Sequence, residues 1–353
     1  MAKPPADLLR RYVFPRSGAR RGDVVSGPGV GLDVGIARVG GGRVIVSHSD
    51  PVHGAVRHVA WLAVHVASND VATAGTRPSW ILPVILLPEA WDERMLDELT
   101  SQVDAAAREL GASVIGGHTG VVEGLSRPLV VATAIGVCEE DRVITAAGAR
   151  PGDLVYMTKW AALEGTAILS EDFEDLLLSR GVPRSSVESA RRLMELVSVV
   201  PEAVALAEAG AVHAMHDPTR GGIAEGLAEM AVASSVSVEV WEERIPVLEP
   251  TREFAAALGF DPLWMISSGV LLFASPPESR GAVEGALGGL PHAEIGRVVG
   301  AGPRVVIHRA GGADEVLEDA HPERDELAEL WRRAGRRYAS TSARLIKLYY
   351  EET

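Results

Sequence analysis

The stretch from Met215 to Gly222 constrains the fold of this chain most, because its eight residues combine the end of a strand, a tight loop and a helix start. The run that precedes it is apolar, and the run from residue 223 has helical character. Pro218 cannot continue a β-ladder, and two adjacent glycines let the backbone approach another group closely. A helix N-terminus favours an anion, whereas Asp217 beside it favours a cation. Together with Arg220 this pattern indicates metal-bound phosphate; a capped turn with a surface Arg–Asp pair is the alternative interpretation.

Length and charge restrict the classes of protein to which the chain can belong. Its 353 residues predict two domains, and 47% hydrophobic with 23% charged residues is a globular composition. The net charge of −14 argues against nucleic acid or an anionic membrane as the partner of the whole surface. A polyphosphate ligand would therefore need local cationic groups. Because lysine occurs at only three positions, Lys159 at the end of a predicted strand is a candidate nucleotide contact.

Cysteine usage and hydropathy indicate a cytoplasmic location. Cys138 is the single cysteine, so an internal disulfide is excluded, and it lies in an apolar run typical of a core strand. The N-terminal sequence lacks the apolar region of a secretory signal. Uninterrupted apolar stretches stay shorter than the ~18 residues that a membrane-spanning helix needs.

Turn-forming clusters divide the chain into four segments. The best boundary is a small-residue cluster over residues 145–153. We predict an arm over 1–23, a first domain over 24–149, a second over 150–310 and a helical extension over 311–353. Within the second domain, strand pieces are predicted between Leu263 and Ala274. Within the extension, Pro322 to Tyr350 carries an apolar stripe that predicts a helix docked on the second domain.

Acidic residues recur at the predicted ends of elements in the first half. Asp33 closes a glycine-rich turn, Asp50 ends a strand, and Asp70 follows a helix predicted over 55–67. Glu123 follows a short glycine-rich segment. Acidic side chains from several elements that meet at one sheet edge bind hard divalent cations. Each residue alone is equally typical of a turn or cap, so only the set of four indicates a metal site.

Five motifs follow one another along the chain: Gly29-Val30-Gly31-Leu32-Asp33, Ser49-Asp50, Asn69-Asp70-Val71-Ala72 with Gly75 and Pro78, Gly116-Gly117-His118-Thr119, and His216-Asp217-Pro218-Thr219-Arg220-Gly221-Gly222. In this order they resemble the aminoimidazole ribonucleotide (AIR) synthetase, or PurM-like, superfamily. That superfamily includes the hydrogenase-maturation protein HypE, thiamine-monophosphate kinase, selenophosphate synthetase and formylglycinamidine synthetase. The resemblance covers roughly residues 25–310, and the element at 217–222 is most similar to HypE.

The resemblance implies an α+β fold of two mixed α/β domains, with the N-terminal domains of a homodimer pairing into a shared β-barrel. It also implies Mg²⁺-dependent use of ATP to phosphorylate a carbonyl-type oxygen or another small-molecule group. The apolar runs Ile81 to Leu87 and Leu129 to Val137 agree with pairing, because such strands need covering on both faces.

Matching the motifs gives three sets of expected site residues. The expected metal ligands are Asp33, Asp50, Asp70, Glu123 and Asp217. The expected catalytic residues are Asp50, His118, Asp217 and Arg220. The expected nucleotide contacts are Asp33, Asn69, Asp70, Gly116, Gly117, Thr119, Lys159, Gly221 and Gly222.

Two departures argue against the cyanide-donor reaction of HypE. The chain ends Lys347 to Thr353, without the cysteine-containing tail of HypE, and Cys138 lies inside a predicted strand. Residues 161–166 also replace a Gly-Asp-His-Gly-like turn of HypE. Two alternatives remain open: a non-catalytic nucleotide-binding accessory protein, and a kinase like thiamine-monophosphate kinase. The single Asp33, where that kinase family has paired aspartates, disfavours the second.

Overall fold

Two seven-stranded β-sheets, each with helices packed against it, organise the chain. The computed structural model describes residues 3–52 and 57–333. Both sheets mix parallel and antiparallel strands, so the expectation of two mixed α/β domains is confirmed. No helix in these two described ranges is both long and apolar enough to cross a bilayer.

The N-terminal sheet follows an arm of helical turns. The arm comprises α1 (Ala6–Leu8) and a π-helical turn (Leu9–Val13). The strands are β1 (Val24–Ser26), β2 (Gly35–Gly40), β3 (Arg43–Val52), β4 (Trp80–Leu87), β5 (Ser113–Val114), β6 (His118–Val121) and β7 (Leu129–Glu139). The helices are α2 (Val59–Thr73) and α3 (Glu93–Leu110). The strand order is β1-β2-β3-β7-β4, and both β5 and β6 pair in parallel with the free edge of β4.

The apolar strands β4 and β7 are covered by helices on one face only. Buried and half-buried residues alternate along both strands. The buried set, with Ile81 and Ala132, packs in one core with residues of α2 and α3 such as Leu99. The other set, with Val84 and Ile135, remains half-buried. Within the described residues the helices pack on one side of these strands only, so the second face has no covering layer from this chain.

The C-terminal sheet has the strand order β14-β13-β10-β12-β8-β11-β9. Its strands are β8 (Leu154–Thr158), β9 (Ala214–His216), β10 (Val236–Trp241), β11 (Leu272–Ser275), β12 (His292–Ala301), β13 (Arg304–His308) and β14 (Asp314–Leu317). Its helices are α4 (Leu163–Asp172), α5 (Glu174–Ser179), α6 (Arg184–Arg191), α7 (Val200–Glu208), α8 (Gly222–Ser234), α9 (Glu249–Leu258) and α10 (Arg280–Leu287). Short 3₁₀ turns occur at Glu140–Arg142, Ala146–Gly148, Arg192–Leu196, Glu242–Arg244 and Pro277–Ser279.

Four local expectations differ from the structure. The predicted helix over 55–67 is α2, which runs to Thr73, so that Asp70 lies in its last turn. Residues 263–271 form turns, and only β11 is a strand. The predicted helical extension begins instead with β14, which pairs with β13. A helix then starts at residue 326 and is described as far as 333; the predicted continuation to Tyr350 lies outside the described residues.

Candidate metal and nucleotide site

Three aspartates from distant parts of the sequence converge between the two sheets. Asp33 lies just before β2, Asp70 in the last turn of α2, and Asp217 directly after β9. Carboxylate oxygens of the three lie within 4.8 Å of one another. Asp217 is 2% exposed, and neither of its carboxylate oxygens has a hydrogen-bond partner. A buried carboxylate without a partner is costly, so this cluster is built for a cation.

The acid–base properties of the cluster agree with a cation site. Burial, followed by the charges of Asp70 and Asp33, raises the pKa of Asp217 well above its usual range. Burial, followed by the charges of Asp33 and Asp50, does the same to the pKa of Asp70. Hard divalent ions such as Mg²⁺ prefer carboxylate oxygens, and their charge would relieve this repulsion. The donor set therefore fits Mg²⁺.

His216 holds one of the three aspartates in place. Its Nδ1 lies 2.6 Å from Asp33 Oδ1 and its Nε2 lies 3.1 Å from Glu229 Oε2. Burial lowers the pKa of His216, but the charges and hydrogen bonds of Asp33 and Glu229 outweigh burial and hold this pKa well above its usual value. The ring is therefore an imidazolium that donates from both nitrogens, and it fixes the orientation of Asp33.

The N-terminal arm covers the same site. Lys3 Nζ lies 3.8 Å from Glu229 Oε1, and this carboxylate raises the pKa of Lys3 against the opposing effect of burial. Leu9 and Phe14 line, together with the aspartates, a cavity of about 240 Å³. The sequence predicted only an arm over residues 1–23, and Lys3 was not among the expected site residues. Glu229 was missed too, although it stands two helical turns after Gly222 on α8.

Asp50 and Arg220 form part of a wall between this cavity and a second one. Both residues, with Thr219, line the two cavities. Arg220 Nη2 donates to the carbonyl oxygen of Pro51, 3.3 Å away, so the guanidinium is fixed beside the end of β3. Asp50 lies at the site but outside the three-aspartate cluster.

The structure places the second glycine-rich motif elsewhere. The exposed residues Gly116, Gly117, His118 and Thr119 line a separate surface cavity beside Pro83 and α3. Glu123 is exposed in the loop that follows β6. These five residues are not brought to the aspartates within one chain. The reason is topological: β6 is an edge strand on the side of β4 away from β7.

Two expected nucleotide contacts have structural roles. Lys159 is buried, forms a 2.6 Å ion pair with Glu202, and donates to the carbonyl oxygen of Ser198. Asn69 is also buried; its amide donates to the carbonyl oxygen of Val197 at 2.8 Å and accepts from the Val199 backbone nitrogen at 2.9 Å. Both side chains therefore fix the segment before α7, which the sequence could not indicate.

The glycine pair at the start of α8 approaches protein backbone. Gly221 and Gly222 are buried and have φ values of 80° and 62°. A Cβ on Gly222 would lie 2.4 Å from the carbonyl oxygen of Met265 and 2.7 Å from that of Leu263. Gly222 thus lets the start of α8 lie against the 263–265 turn, whereas a Cβ on Gly221 would lie 2.5 Å from the Cβ of Glu225. These contacts explain both glycines without a nucleotide.

Comparisons with known proteins agree with this architecture. Residues 31–138 match the model of the N-terminal domain of AIR synthase related proteins, and residues 150–309 match the model of the C-terminal domain. The carbamoyl dehydratase HypE of Rhizobium leguminosarum bv. viciae is 32% identical over 281 residues, 76% of this chain and 77% of that protein. A thiamine-monophosphate kinase of Rhodopirellula baltica is 27% identical over 248 residues, 69% of each chain.

A solved structure of a related protein has a similar fold. The hydrogenase maturation protein HypE in complex with ATP superposes with a TM-score of 0.68 and 26% identity, covering 89% of this chain and 92% of that one. Among the curated hydrogenase-maturation relatives, the aligned part spans from 61% to 77% of their length. The two family models match the chain in order over most of its length, and the chain therefore belongs to the AIR synthase-related family.

Proposed function

We propose that the protein binds ATP with Mg²⁺ and transfers the γ-phosphoryl group to an oxygen atom of a small-molecule acceptor. The observation that carries this proposal is the cluster of Asp33, Asp70 and Asp217, in which both oxygens of Asp217 are buried without a partner. Such a cluster needs a cation, and a cation beside the fixed Arg220 guanidinium provides the positive charge that phosphates require.

Each residue of the site has a separate task in this proposal. Asp33, Asp70 and Asp217 would hold Mg²⁺, which when bound neutralises charge on the phosphates. His216 keeps Asp33 oriented, and His48 bridges two of the ligands, because its Nδ1 donates to the Asp33 carbonyl oxygen and its Nε2 lies 3.4 Å from Asp70 Oδ2. Arg220 would orient phosphate oxygens at the wall between the two cavities.

The relatives support the type of reaction. One matched structure is a HypE protein in complex with ATP, and one matched sequence is a thiamine-monophosphate kinase. We further propose a homodimer formed through the N-terminal sheets. In such a dimer, edge strand β6 of one copy, with His118 and Thr119, lies on the surface available to the other copy.

Calorimetric titration of ATP in the presence of Mg²⁺ tests the site assignment. Asp70→Asn and Asp217→Asn should each weaken Mg²⁺-dependent ATP binding, because each removes a charged ligand while keeping the shape of the side chain. Asp172→Asn is the matched control, since Asp172 also has a buried oxygen without a partner but lies outside the cluster. Wild-type affinity in both cluster variants would refute the assignment. A merely structural role would appear as a stability loss of about 1 kcal/mol with unchanged affinity.

A further inference from the structure

A second cavity, of about 230 Å³, adjoins the metal site. It lies between the two domains, and it shares Asp50, Thr219 and Arg220 with the nucleotide cavity. Away from this shared wall most lining residues are apolar, with Leu62 and Val66 from α2 and Ile168 from α4. The charged residues there are Arg127, Glu164 and Asp325. A molecule in this cavity would place one end at the phosphate site and its body against hydrocarbon.

The cavity contains a buried carboxylate that the metal site does not use. Glu164, in the first turn of α4, is 3% exposed, and its Oε2 has no hydrogen-bond partner. It lines the cavity close to the charges of Asp50 and Arg220. A buried polar atom without a partner at the wall of a cavity is the position expected for a group that meets a ligand.

The segment 325–331 forms one wall of the cavity. Leu327, Ala328 and Trp331 line it, and Leu327 is itself buried. The Trp331 ring packs edge-on against Phe173 with 4.9 Å between ring centroids, and the Arg127 guanidinium lies 5.6 Å from its centre. Because Arg127 precedes β7 and Phe173 follows α4, this wall is anchored to both domains. A cavity with walls from both domains suits a free small molecule.

We propose that this cavity binds the phosphoryl acceptor, an alcohol with an apolar body, and that Glu164 is the catalytic residue that accepts the proton of its hydroxyl group. The inference rests on the function proposed above. In the step, the acceptor oxygen forms a bond to the γ-phosphorus, the bond to the β,γ-bridging oxygen breaks, and ADP leaves with that electron pair. The hydroxyl proton passes to the Glu164 carboxylate.

The electrostatic environment agrees with this role. Burial raises the pKa of Glu164 to about 7, while nearby Ser268 and the charge of Arg220 oppose the increase in part. A general base works best when its pKa lies near the operating pH.

A series of 1-alkanols from ethanol to hexanol, added to the full chain with Mg²⁺–ATP, tests the proposal by ADP release. For the wild type, kcat/KM for the alkanol should rise about fourfold for each methylene group, the factor that corresponds to burying one methylene in an apolar site. Glu164→Gln should reduce alkanol-dependent ADP release at least about 100-fold, the usual minimum effect of a general base. Its affinity for Mg²⁺–ATP should stay unchanged.

Binding to the protein without nucleotide provides a readout independent of turnover. 1-Hexanol should raise the Tm of the wild type, and Ala328→Trp, which fills the cavity, should abolish this shift and the dependence on chain length. Glu171→Gln is the matched control, because Glu171 also has a buried oxygen without a partner but does not line the cavity. It should behave like the wild type.

The outcomes separate this inference from the proposed function. Absent Mg²⁺–ATP binding would refute the proposed function, and with it the catalytic role of Glu164. Normal Mg²⁺–ATP binding without any effect of chain length, or without a hexanol-induced Tm shift, would refute the acceptor cavity alone. Hexanol binding without alkanol-dependent ADP release, or undiminished release by Glu164→Gln, would refute the role of Glu164 as the base.

Discussion

At the scale of single residues, the aspartate cluster stores unfavourable electrostatic energy in the metal-free protein. The folded-state pKa of Asp217 is raised above its unfolded value, so the folded state binds this proton more tightly. The metal-free protein therefore loses stability as pH rises from about 4, the unfolded pKa, through the raised folded pKa. Added Mg²⁺ should restore the lost stability, because it compensates the carboxylate charges.

Asp217→Asn should consequently stabilise the metal-free protein at pH 8 and have a smaller effect at pH 5. The amide carries no charge, so the repulsion from Asp70 and Asp33 disappears. Thermal unfolding in buffer with chelator, at both pH values and then with Mg²⁺, measures the effect. The wild type should gain Tm from Mg²⁺ and the variant should gain little. A variant less stable than the wild type at pH 8 without metal would contradict this account.

Single residues also show which parts of the site the sequence predicts. Asp33, Asp70 and Asp217 each stand at or near an element end, and the structure brings them together. Glu123 also follows a strand, but this strand lies at a different edge of the sheet. The sequence shows where a strand ends but not which strand ends lie close together in the fold. Lys159 was singled out as a rare cation, yet its partner Glu202 is 43 positions away and only tertiary packing reveals it.

At the scale of elements, the described part of the helix that starts at residue 326 packs its apolar residues against the rest of the chain. Leu327 and Leu330 are 8% and 4% exposed. Arg324 lies 3.6 Å from the centre of the Trp264 ring and pairs with Glu315 at 3.3 Å. These contacts tie the segment to the second domain and should protect it from proteases.

Leu330→Ala should increase the rate at which trypsin cleaves after Arg324. The substitution leaves a cavity under the helix, and such losses cost about 2–5 kcal/mol when the site is buried. Timed digestion with mass analysis of the fragments gives the rate. Leu8→Ala is the control, since Leu8 is 40% exposed in the arm and its loss should leave cleavage unchanged. Rapid cleavage at Arg324 in the wild type would contradict docking.

Elements that the sequence did not indicate depend on contacts made far along the chain. Strand β14 contains Asp314 and Glu315 and lacks the apolar pattern of a strand, yet it pairs with β13 over its four residues. Residues 263–271 are apolar enough for strands, but they form turns, and the backbone of Gly222 packs against these turns. In both cases tertiary contacts override local preference.

At the scale of the whole molecule, the outer face of the N-terminal sheet lacks a covering layer within the described chain. Leu82, Val84, Val131 and Ile135 lie half-buried on this face. Contiguous apolar area of this kind marks an interaction surface. Together with the family resemblance it supports the proposed homodimer.

Sedimentation at micromolar concentration should therefore show a dimer, and Val84→Asp should shift it to monomer by placing a charge on the apolar face. Val299→Asp is the control, because Val299 is 44% exposed on β12 of the other sheet. The control should remain dimeric. A monomeric wild type, or a Val84→Asp variant that sediments like the wild type, would contradict pairing through this sheet.

The Asn69 contact gives the whole molecule a further property. Asn69 joins α2 to Val197 and Val199 of the other domain, and the next residue in the chain is Asp70. One helical turn thus carries both a bond that aligns the two halves and a carboxylate of the cation cluster. Cation affinity and domain alignment are then linked reciprocally: whatever favours the aligned arrangement raises the affinity, and binding tightens the alignment by the same free energy.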